Sequence, residues 1–394
     1  MSRKLCFVVI VVALSVSFVS AASAATWNVS DITGLRNAVV AAAPGDVILM
    51  ADGTYSFSDT TGCLIQDKNN LTIRSASGNR AAVIMTGLGQ DSRKTQFGFK
   101  IFRSPHITIQ DITIKNIYWH CIQVNEGSSY AVLRNLYMWD AGEGPLKVTS
   151  LGPAGPYCDY GLLENSTLGY TTKGTRGNVE GVDIVGNVGW TIRNTDFYNV
   201  TKLQHNDAAC ACFAKGNSQD TIVEGCYFQG CDIAISFGDG GTGSQYFRDG
   251  DTTYEHRRGI IRNNIVHNTK DVAIYLRQSI DFKVYNNTLW STFSAADSSI
   301  DTNIPPCDGL IVDNICSQNY RLRNGATATL TNNIFHASPS LFVNQAAADY
   351  HLLSTATSAI NMGINSATDV PTDWDWQTRP YGSALDIGAD EYYP

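Results

Sequence analysis

The sequence predicts an all-β fold made of a single domain, a parallel β-helix in which short strands stack coil upon coil. A short alternating phrase recurs along the chain, as at Trp190–Asn194, Gly259–Asn263 and Phe282–Asn286. Between the copies lie short apolar segments joined by Gly, Asn and Asp, and helical periodicity is absent from nearly all of them. The composition of 34 glycines, 10% aromatic and 16% charged residues also favours many short strands and turns.

The length of the repeat distinguishes a solenoid from a propeller. Its units were aligned on the residue that closes each apolar segment: Asp111, Asn135, Asn165, Asn194, Gly225, Asn263, Asn286, Asn314 and Asn332. The intervals are 24, 30, 29, 31, 38, 23, 28 and 18 residues, which indicates a solenoid or a propeller. A four-stranded propeller blade needs about forty residues or more. Asn suits a β-helix corner because it tolerates left-handed backbone and its amide can bond to the equivalent residue one coil away.

The N-terminal segment, residues 1–25, has the pattern of a signal peptide. Arg3 and Lys4 precede the apolar run Leu5–Val19, and Ala22–Ala24 offers a small-residue cleavage site. The apolar run is short for a membrane span, and no other stretch is long and apolar enough. We therefore expect a mature chain of residues 26–394 that is secreted or periplasmic and has no membrane span.

The mature chain predicts a body of coils between two caps. A short helix over Leu35–Ala43, stopped by Pro44-Gly45, and the strand Val47–Tyr55 form an N-terminal cap and first coil over residues 26–60. Coils fill residues 61–337, and residues 338–394 form a C-terminal cap. The Gly-rich stretch 238–253 is too polar for a coil and is predicted to be a loop that borders a binding groove.

The charge of the chain restricts its partners. Removal of Arg3 and Lys4 changes the net charge from −8 to −10. Sequence-independent binding of nucleic acid requires clustered positive charge, so we expect no nucleic-acid partner, and we expect a monomer.

Nine cysteines remain after Cys6 leaves with the signal peptide, and in an oxidising compartment some should pair. We expect bridges among the cysteines that are close in sequence or one repeat apart. These are Cys210, Cys212, Cys226 and Cys231, and the pair Cys307 and Cys316. The alternative is that they serve as small buried apolar residues.

Aligning successive units places polar residues in one outward column. A Gly-Asn pair follows each of two successive apolar segments. Aligning these two pairs puts Asp183 level with Phe213, and Val185 level with Lys215. Equivalent positions on successive coils lie about 4.8 Å apart.

Two coils later, Tyr275 and Arg277 occupy the same two positions. Because side chains alternate along a strand, these two residues should share one outer face with Asp183 and Lys215.

The residue types in this column suggest β-elimination on an acidic sugar. A cation neutralises the uronate carboxyl group, a base removes the C5 proton, and an acid protonates the leaving oxygen. The predicted catalytic residues are Lys215, Arg277, His256 and Tyr275, and the predicted substrate-binding residues are Arg257, Arg258 and Asp239. A polar outward column is also the pattern of a plain solvated face, and the cations near residue 257 could instead pair with nearby acids.

Glu180 and Asp183, with Asp239 from the loop, could hold a calcium ion through oxygen ligands. The alternative is that the two acids belong to turns and bind no metal. The remaining expected partner is a polysaccharide substrate.

Several phrases resemble a known group of proteins. Pro44–Ile48 with Ala51–Tyr55 resembles the first coil of the secreted right-handed parallel β-helix superfamily, which includes the pectate lyases and the chondroitinase B and alginate lyase group. The closing phrase Asp386–Asp390 is similar to bacterial β-helix repeat proteins. The resemblance implies a right-handed, pectate lyase-like solenoid with a short N-terminal capping helix.

The resemblance also implies an activity, with one departure. In the chondroitinase B and alginate lyase group, the base is a Lys in an Asn-Lys-Ser phrase, which Ala214–Ser218 matches approximately. An Arg-His-Gly phrase follows about one coil later, where this chain has Ser236–Gly238. We expect a lyase or C5-epimerase-like enzyme acting on a uronate-containing glycan. The alternatives are a non-catalytic glycan-binding or cell-envelope protein, and a glycoside hydrolase with two carboxylates drawn from Asp183, Asp207, Asp232 and Asp239.

Overall fold

The computed structural model describes residues 24–150, 152–203, 208–238, 241–293 and 298–394. The predicted signal peptide lies almost wholly outside these residues, as do Asp207 and Asp239. Within the described part of the chain, no helix is long and apolar enough to cross a membrane.

Three long parallel sheets, here called A, B and C, form the body of the protein. In each sheet, neighbouring strands come from successive turns of the chain, which is the arrangement of a parallel β-helix.

Sheet A contains Thr26–Val29, Val47–Met50, Thr72–Ser75, Thr108–Gln110, Val132–Arg134, Leu162–Glu164, Thr191–Arg193, Ser218–Gln219, Ile222–Glu224, His256–Arg257, Ile260–Arg262, Ser279–Tyr285, Asp308–Val312 and Thr329–Thr331. Sheet B contains Gly53–Ser56, Val83–Thr86, Thr113–Lys115, Tyr137–Trp139, Thr167–Gly169, Asp196–Tyr198, Tyr227–Gln229, Ile265–His267, Thr288–Trp290 and Ile315–Cys316. Sheet C contains Cys63–Gln66, Phe97–Phe102, His120–Asn125, Gly144–Thr149, Glu180–Val185, Cys210–Lys215, Ile233–Phe237, Val272–Arg277, Ser298–Asn303 and Tyr320–Arg323.

One α-helix, Ile32–Ala41, lies near the N-terminus as predicted. It begins three residues before the predicted start because the Asp31 side chain accepts a hydrogen bond from the backbone N–H of Gly34 at 2.7 Å, which caps the helix. Leu35, Ala38 and Val39 are buried beneath it.

The C-terminal part adds the antiparallel pair Phe342–Asn344 and Asp349–Leu352. Four short 3₁₀ turns complete the described elements: Ser244–Tyr246, Arg248–Gly250, Pro339–Leu341 and Gln345–Ala347.

The interior is built from aliphatic side chains stacked in register from coil to coil. One fully buried column in sheet A runs through Ile48, Ile73, Ile109, Leu133, Leu163, Ile192, Val223, Ile261, Val284 and Ile311. Because neighbouring residues in a strand point to opposite faces, this inward stacking fixes which side chains project outward.

The predicted corner residues have the expected backbone conformation at eight of nine positions. All of these have positive φ, from 44° at Asn194 to 61° at Asp111. The ninth assignment, Asn314, is wrong by one residue, because Asp313 has the positive φ of 57°.

Asn314 instead belongs to a row of hydrogen-bonded side-chain amides inside the β-helix, here called the amide ladder. The side-chain amide of Asn264 donates to Asn287, that of Asn287 to Asn314, and that of Asn314 to Asn333, over 2.9, 2.9 and 2.8 Å. The amides thereby satisfy one another across successive coils, and those of Asn264, Asn287 and Asn314 are fully buried.

The expected disulfides are wrong. All nine cysteines from Cys63 to Cys316 are free and buried. Cys210 and Cys212 show the reason, since Cys210 packs in an apolar cluster on the outer face of sheet C while Cys212 packs in the central core. The cysteines therefore fill space as small apolar side chains.

Candidate functional site

The outer face of sheet C carries the polar column predicted from the repeat. Asp183 pairs with Phe213, and Val185 pairs with Lys215, as the alignment of the Gly-Asn phrases predicted. Phe213 is followed by Ser236 on the next coil, and Ser236 by Tyr275. The predicted register is therefore confirmed.

Three depressions follow one another along this face. The first, of about 270 Å³, includes Lys100, and the central one, of about 480 Å³, includes Lys147, Asp183 and Lys215. The last, of about 220 Å³, includes Arg277. The column thus forms a discontinuous groove along the axis of the β-helix.

Asp183 forms the charged centre of the central depression. It is 4% exposed and pairs with Lys147 from the preceding coil, while Lys215 Nζ from the next coil lies 3.9 Å from its Oδ1 atom. Burial opposes ionisation of Asp183, but the two ammonium groups outweigh it and lower the pKa of the carboxyl group. Three successive coils therefore fix two cations around one buried carboxylate.

Glu180 lies on the same strand and behaves in the opposite way. Its burial, reinforced by repulsion from Asp183, raises the pKa of Glu180 to about 7. Only two residues separate the two acids in sequence, and their proton affinities are pushed apart by their surroundings.

Sequence reasoning did not identify His120, which lines the central depression and is 6% exposed. Its Nδ1 atom lies 3.1 Å from the carbonyl oxygen of Gly144, which can only accept, so Nδ1 carries the proton and Nε2 carries the lone pair. Burial and the nearby Lys147 lower the pKa of His120 to about 3, so the ring is neutral at neutral pH.

Glu143 is a second residue that the sequence did not reveal. Its Oε1 atom accepts from Arg176 at 2.8 Å, and Arg176 also donates to the hydroxyl group of Tyr118 at 2.7 Å. The Oε2 atom of Glu143 lies 3.8 Å from His120 Nε2. This network fixes one wall of the central depression.

The described part of the Gly-rich loop, which begins at residue 241, forms another part of the rim. Thr242 and Tyr246 line the central depression, and the Thr242 hydroxyl group donates to the buried Glu255 at 2.8 Å. Glu255 also accepts the backbone N–H of Gly216, the residue that follows Lys215. Glu255 therefore ties the loop to the strand that carries Lys215.

The last depression combines an apolar floor with cations. Cys210, Phe213, Ile233 and Val272 form the apolar cluster beneath it. At its rim Arg321 and Arg323 both pair with Asp301, at 2.6 and 2.7 Å.

Arg277 and Tyr275 also line this depression. Within the described part of the chain, no carboxylate pairs with Arg277, and its Nε atom is buried without a hydrogen-bond acceptor. Asn303 donates to the Tyr275 oxygen at 2.8 Å, which leaves the Tyr275 O–H group able to donate.

His256 does not belong to this face, so its predicted catalytic role is wrong. The ring of His256 is fully buried and stacks on Phe237, with ring centroids 4.0 Å apart. Its Nε2 atom lies 3.0 Å from the Thr221 hydroxyl group. Burial, followed by the charge of Arg258, lowers the pKa of His256 to about 3. No substrate on the outside can reach this ring.

Arg257 and Arg258 are also away from the groove, because Arg257 belongs to a strand of sheet A and Arg258 directly follows that strand. Arg258 pairs with Asp220 at 2.8 Å. Of the three arginines predicted to belong to the site, Arg257, Arg258 and Arg277, only Arg277 lies on sheet C. The predicted rim residue Asp239 lies outside the described residues.

The predicted calcium site does not fit the groups that surround it. A calcium ion takes six to eight oxygen ligands, whereas Asp183 is engaged by two lysines. Two ammonium groups beside one carboxylate leave little charge to attract a divalent cation. We therefore assign no metal to Glu180 and Asp183.

Comparison with solved structures identifies the architecture. An alginate lyase from Paenibacillus sp. str. FPU-7 has a TM-score of 0.51 and 15% identity, over 80% of this chain and 96% of that chain. Pectate lyase Pel9A has a TM-score of 0.55 and 13% identity, over 91% and 90%. PfbA, a surface adhesin of Streptococcus pneumoniae, has a TM-score of 0.53 and 13% identity, over 77% and 85%.

The fold is a right-handed, pectate lyase-like parallel β-helix. At these identities the likeness establishes the fold and not the activity. No protein-family model matches the sequence, and no curated protein sequence matches it.

A signal for Lys147 was present in the sequence. The apolar residues Leu146 and Val148 alternate in the same way as Val182 and Ile184, with which they pair. Aligning these two alternating segments would have placed Lys147 against Asp183. No comparable signal marks His120, because it is the first residue of its strand and lies before the alternating part of that strand.

Proposed function

We propose that this protein binds an acidic polysaccharide along sheet C and cleaves it by β-elimination. The observation that carries the proposal is the concentration of positive charge on one face of a chain whose net charge is −8. Six cations but only three carboxylates line the three depressions. The cations are Lys100, Lys147, Lys215, Arg277, Arg321 and Arg323, and the carboxylates are Glu143, Asp183 and Asp271. A charged strip of this kind attracts a polyanion even when the whole protein repels it.

The central depression supplies the groups for the reaction. Lys147 neutralises the uronate carboxyl group. Lys215 first releases its own proton to solvent and then, as the neutral amine, removes the proton at C5. The C4–O bond then breaks, a C4=C5 double bond forms, and the leaving oxygen takes a proton. Asp183 holds the Lys147 ammonium group and the Lys215 amino group in position, and the neutral His120 accepts a hydrogen bond from a sugar hydroxyl group.

Tyr275 supplies the proton for the leaving oxygen in this scheme. Its strand lies two coils beyond that of Lys215, so their backbones are about 10 Å apart, a gap that two long side chains can close. Asn303 donates a hydrogen bond to the Tyr275 oxygen, so the O–H group of Tyr275 is free to donate its proton.

A glycoside hydrolase is less well supported. Asp183 is held by Lys147, and Asp232 accepts the backbone N–H groups of Lys202 and Ala209 at 3.3 and 3.2 Å. Both carboxylates therefore already have bonding partners within the protein, which opposes a role for them in hydrolysis. The other two acids considered, Asp207 and Asp239, lie outside the described residues.

The test is formation of unsaturated product from alginate, pectate, chondroitin and heparin, followed by ultraviolet absorbance. Lys215→Ala should lower the rate by about 100-fold or more, the usual contribution of a general base. Lys283→Ala is the matched control, because Lys283 lies on sheet A and pairs with Asp369 at 3.2 Å.

Unchanged product formation by Lys215→Ala, with its circular dichroism spectrum preserved, would refute the assignment. Binding of a glycan by the native protein without cleavage of any would instead support a non-catalytic glycan-binding protein. An equal loss in both variants would show that the effect is not specific to the groove.

A further inference from the structure

A second cluster of polar side chains lies in the C-terminal part, outside the groove. One ligand atom from each of His351, Asp375 and Asp390 lies within 4.8 Å of the others. The three residues come from separate segments: His351 from the strand Asp349–Leu352, and the two acids from the following loops. The fold therefore brings together one imidazole and two carboxylates that are distant in sequence.

The imidazole is oriented by a fourth residue. The Asp349 carboxylate lies 2.6 Å from His351 Nδ1, while His351 Nε2 faces Asp375 Oδ2 at 2.8 Å. A carboxylate on one ring nitrogen, with the other nitrogen turned toward further acids, is the arrangement that metal-binding histidines normally adopt. Asp349 fixes the proton on Nδ1, and a metal ion would take the place of the proton on Nε2, which here bonds to Asp375.

The third acid is buried with part of its bonding capacity unused. Asp390 is 6% exposed, and one of its oxygens accepts the backbone N–H of Leu352 at 2.7 Å. Its other oxygen has no hydrogen-bond donor among the described residues. Asp390 lines the adjoining cavity, so this oxygen is available to a ligand there.

The cluster borders a cavity that offers room for a further ligand. The cavity has a volume of about 280 Å³, and Asp390 and His351 line it together with Tyr227 and Trp374. A small ion bound by the three residues would therefore keep one coordination position open toward this space.

We propose that His351, Asp375 and Asp390 bind a divalent cation of the Zn²⁺ class. One imidazole nitrogen with two carboxylate oxygens is a ligand set that zinc accepts, whereas calcium and magnesium prefer oxygen ligands alone. The bound ion ties three segments of the C-terminal part together, a role that disulfides do not fill because all nine cysteines are free. This inference is independent of the proposed activity.

The test measures metal content and thermal unfolding of the whole chain. The protein is treated with a chelator, dialysed, and supplied with Zn²⁺, Ca²⁺ or Mg²⁺. We expect one Zn²⁺ per chain and a higher midpoint of unfolding with Zn²⁺, since an ion that binds only the folded state stabilises it, and no comparable rise with the other two ions.

Two variants make the test specific. Asp375→Asn should abolish the zinc-dependent rise in midpoint while leaving the metal-free midpoint close to that of the native protein, because Asp375 is exposed. Asp308→Asn, which removes an exposed acid elsewhere, should keep the rise. Absence of bound Zn²⁺ in the native protein, or equal zinc stabilisation in Asp375→Asn, would overturn the proposal.

Discussion

Glu180→Gln provides a stringent test of the electrostatics of the central depression. Burial, with repulsion from Asp183, raises the pKa of Glu180 from 4.5 to about 7. Between these two values the folded protein holds a proton that the unfolded chain releases, so stability falls as pH rises through this window. At about 1.4 kcal/mol per pKa unit, the full difference is about 3 kcal/mol, and coupling to Asp183 makes it an upper bound.

Glutamine keeps the shape of the side chain and removes its charge. We therefore expect Glu180→Gln to be more stable than the native protein by about 1–3 kcal/mol at about pH 8, and equally stable at about pH 4. Urea-unfolding curves at the two pH values measure this difference.

Asp183→Asn should show the opposite sign on the same strand. Burial acts to raise the pKa of Asp183, but Lys147 and Lys215 outweigh it, so the pKa lies below its usual 3.8. The stability that this carboxylate contributes is present above its unfolded pKa and is lost as pH falls through its folded pKa. The variant should be less stable by about 3 kcal/mol near neutral pH, because a buried pair is broken, and the deficit should shrink in acid.

The reasoning would be refuted if Glu180→Gln were destabilised at high pH, or if the two variants showed the same dependence on pH. Either result would mean that burial and repulsion from Asp183 do not raise the pKa of Glu180.

Two further predictions concern the interior of the β-helix. Asn287→Ala should cost about 3 kcal/mol or more, because its fully buried amide joins two neighbours in the ladder and its loss leaves buried groups without partners. Asn333→Ala, at the partly exposed end of the ladder, should cost about 1 kcal/mol, and similar losses in urea unfolding would contradict the ladder's role. Reductant should leave the midpoint of thermal unfolding unchanged, because none of the nine cysteines from Cys63 to Cys316 is paired. A clear drop would show that disulfides form.

The corners of the fold were predictable because their chemistry is local. A residue with positive φ must tolerate left-handed backbone, and Asn, Asp and Gly are the residues that do so. The same rule explains the error at Asn314, since Asp313 precedes it and both residues satisfy the rule. Only the packing of coils decides which of two adjacent tolerant residues turns the corner and which enters the ladder.

The error at His256 has a different cause. Its neighbours Arg257 and Arg258 made the segment look like a cationic surface, but adjacent residues on a strand face opposite sides. Arg257 is partly exposed, whereas His256 points inward and is fully buried. A strand of two residues, His256–Arg257, does not show by itself which residue faces inward. Its pairing with Ser218–Gln219 decides that.

The groove depends on register in a way that composition cannot reveal. A net charge of −8 predicts repulsion of an acidic glycan by the molecule as a whole. A polymer lying on sheet C, however, meets the side chains that successive coils place outward at the same phase. Lys147, Asp183 and Lys215 belong to different units 36 and 32 residues apart, and only parallel pairing brings them together. Local charge on a β-helix is therefore a property of how the coils are aligned, so shifting one strand by a single residue would turn these cations toward the core.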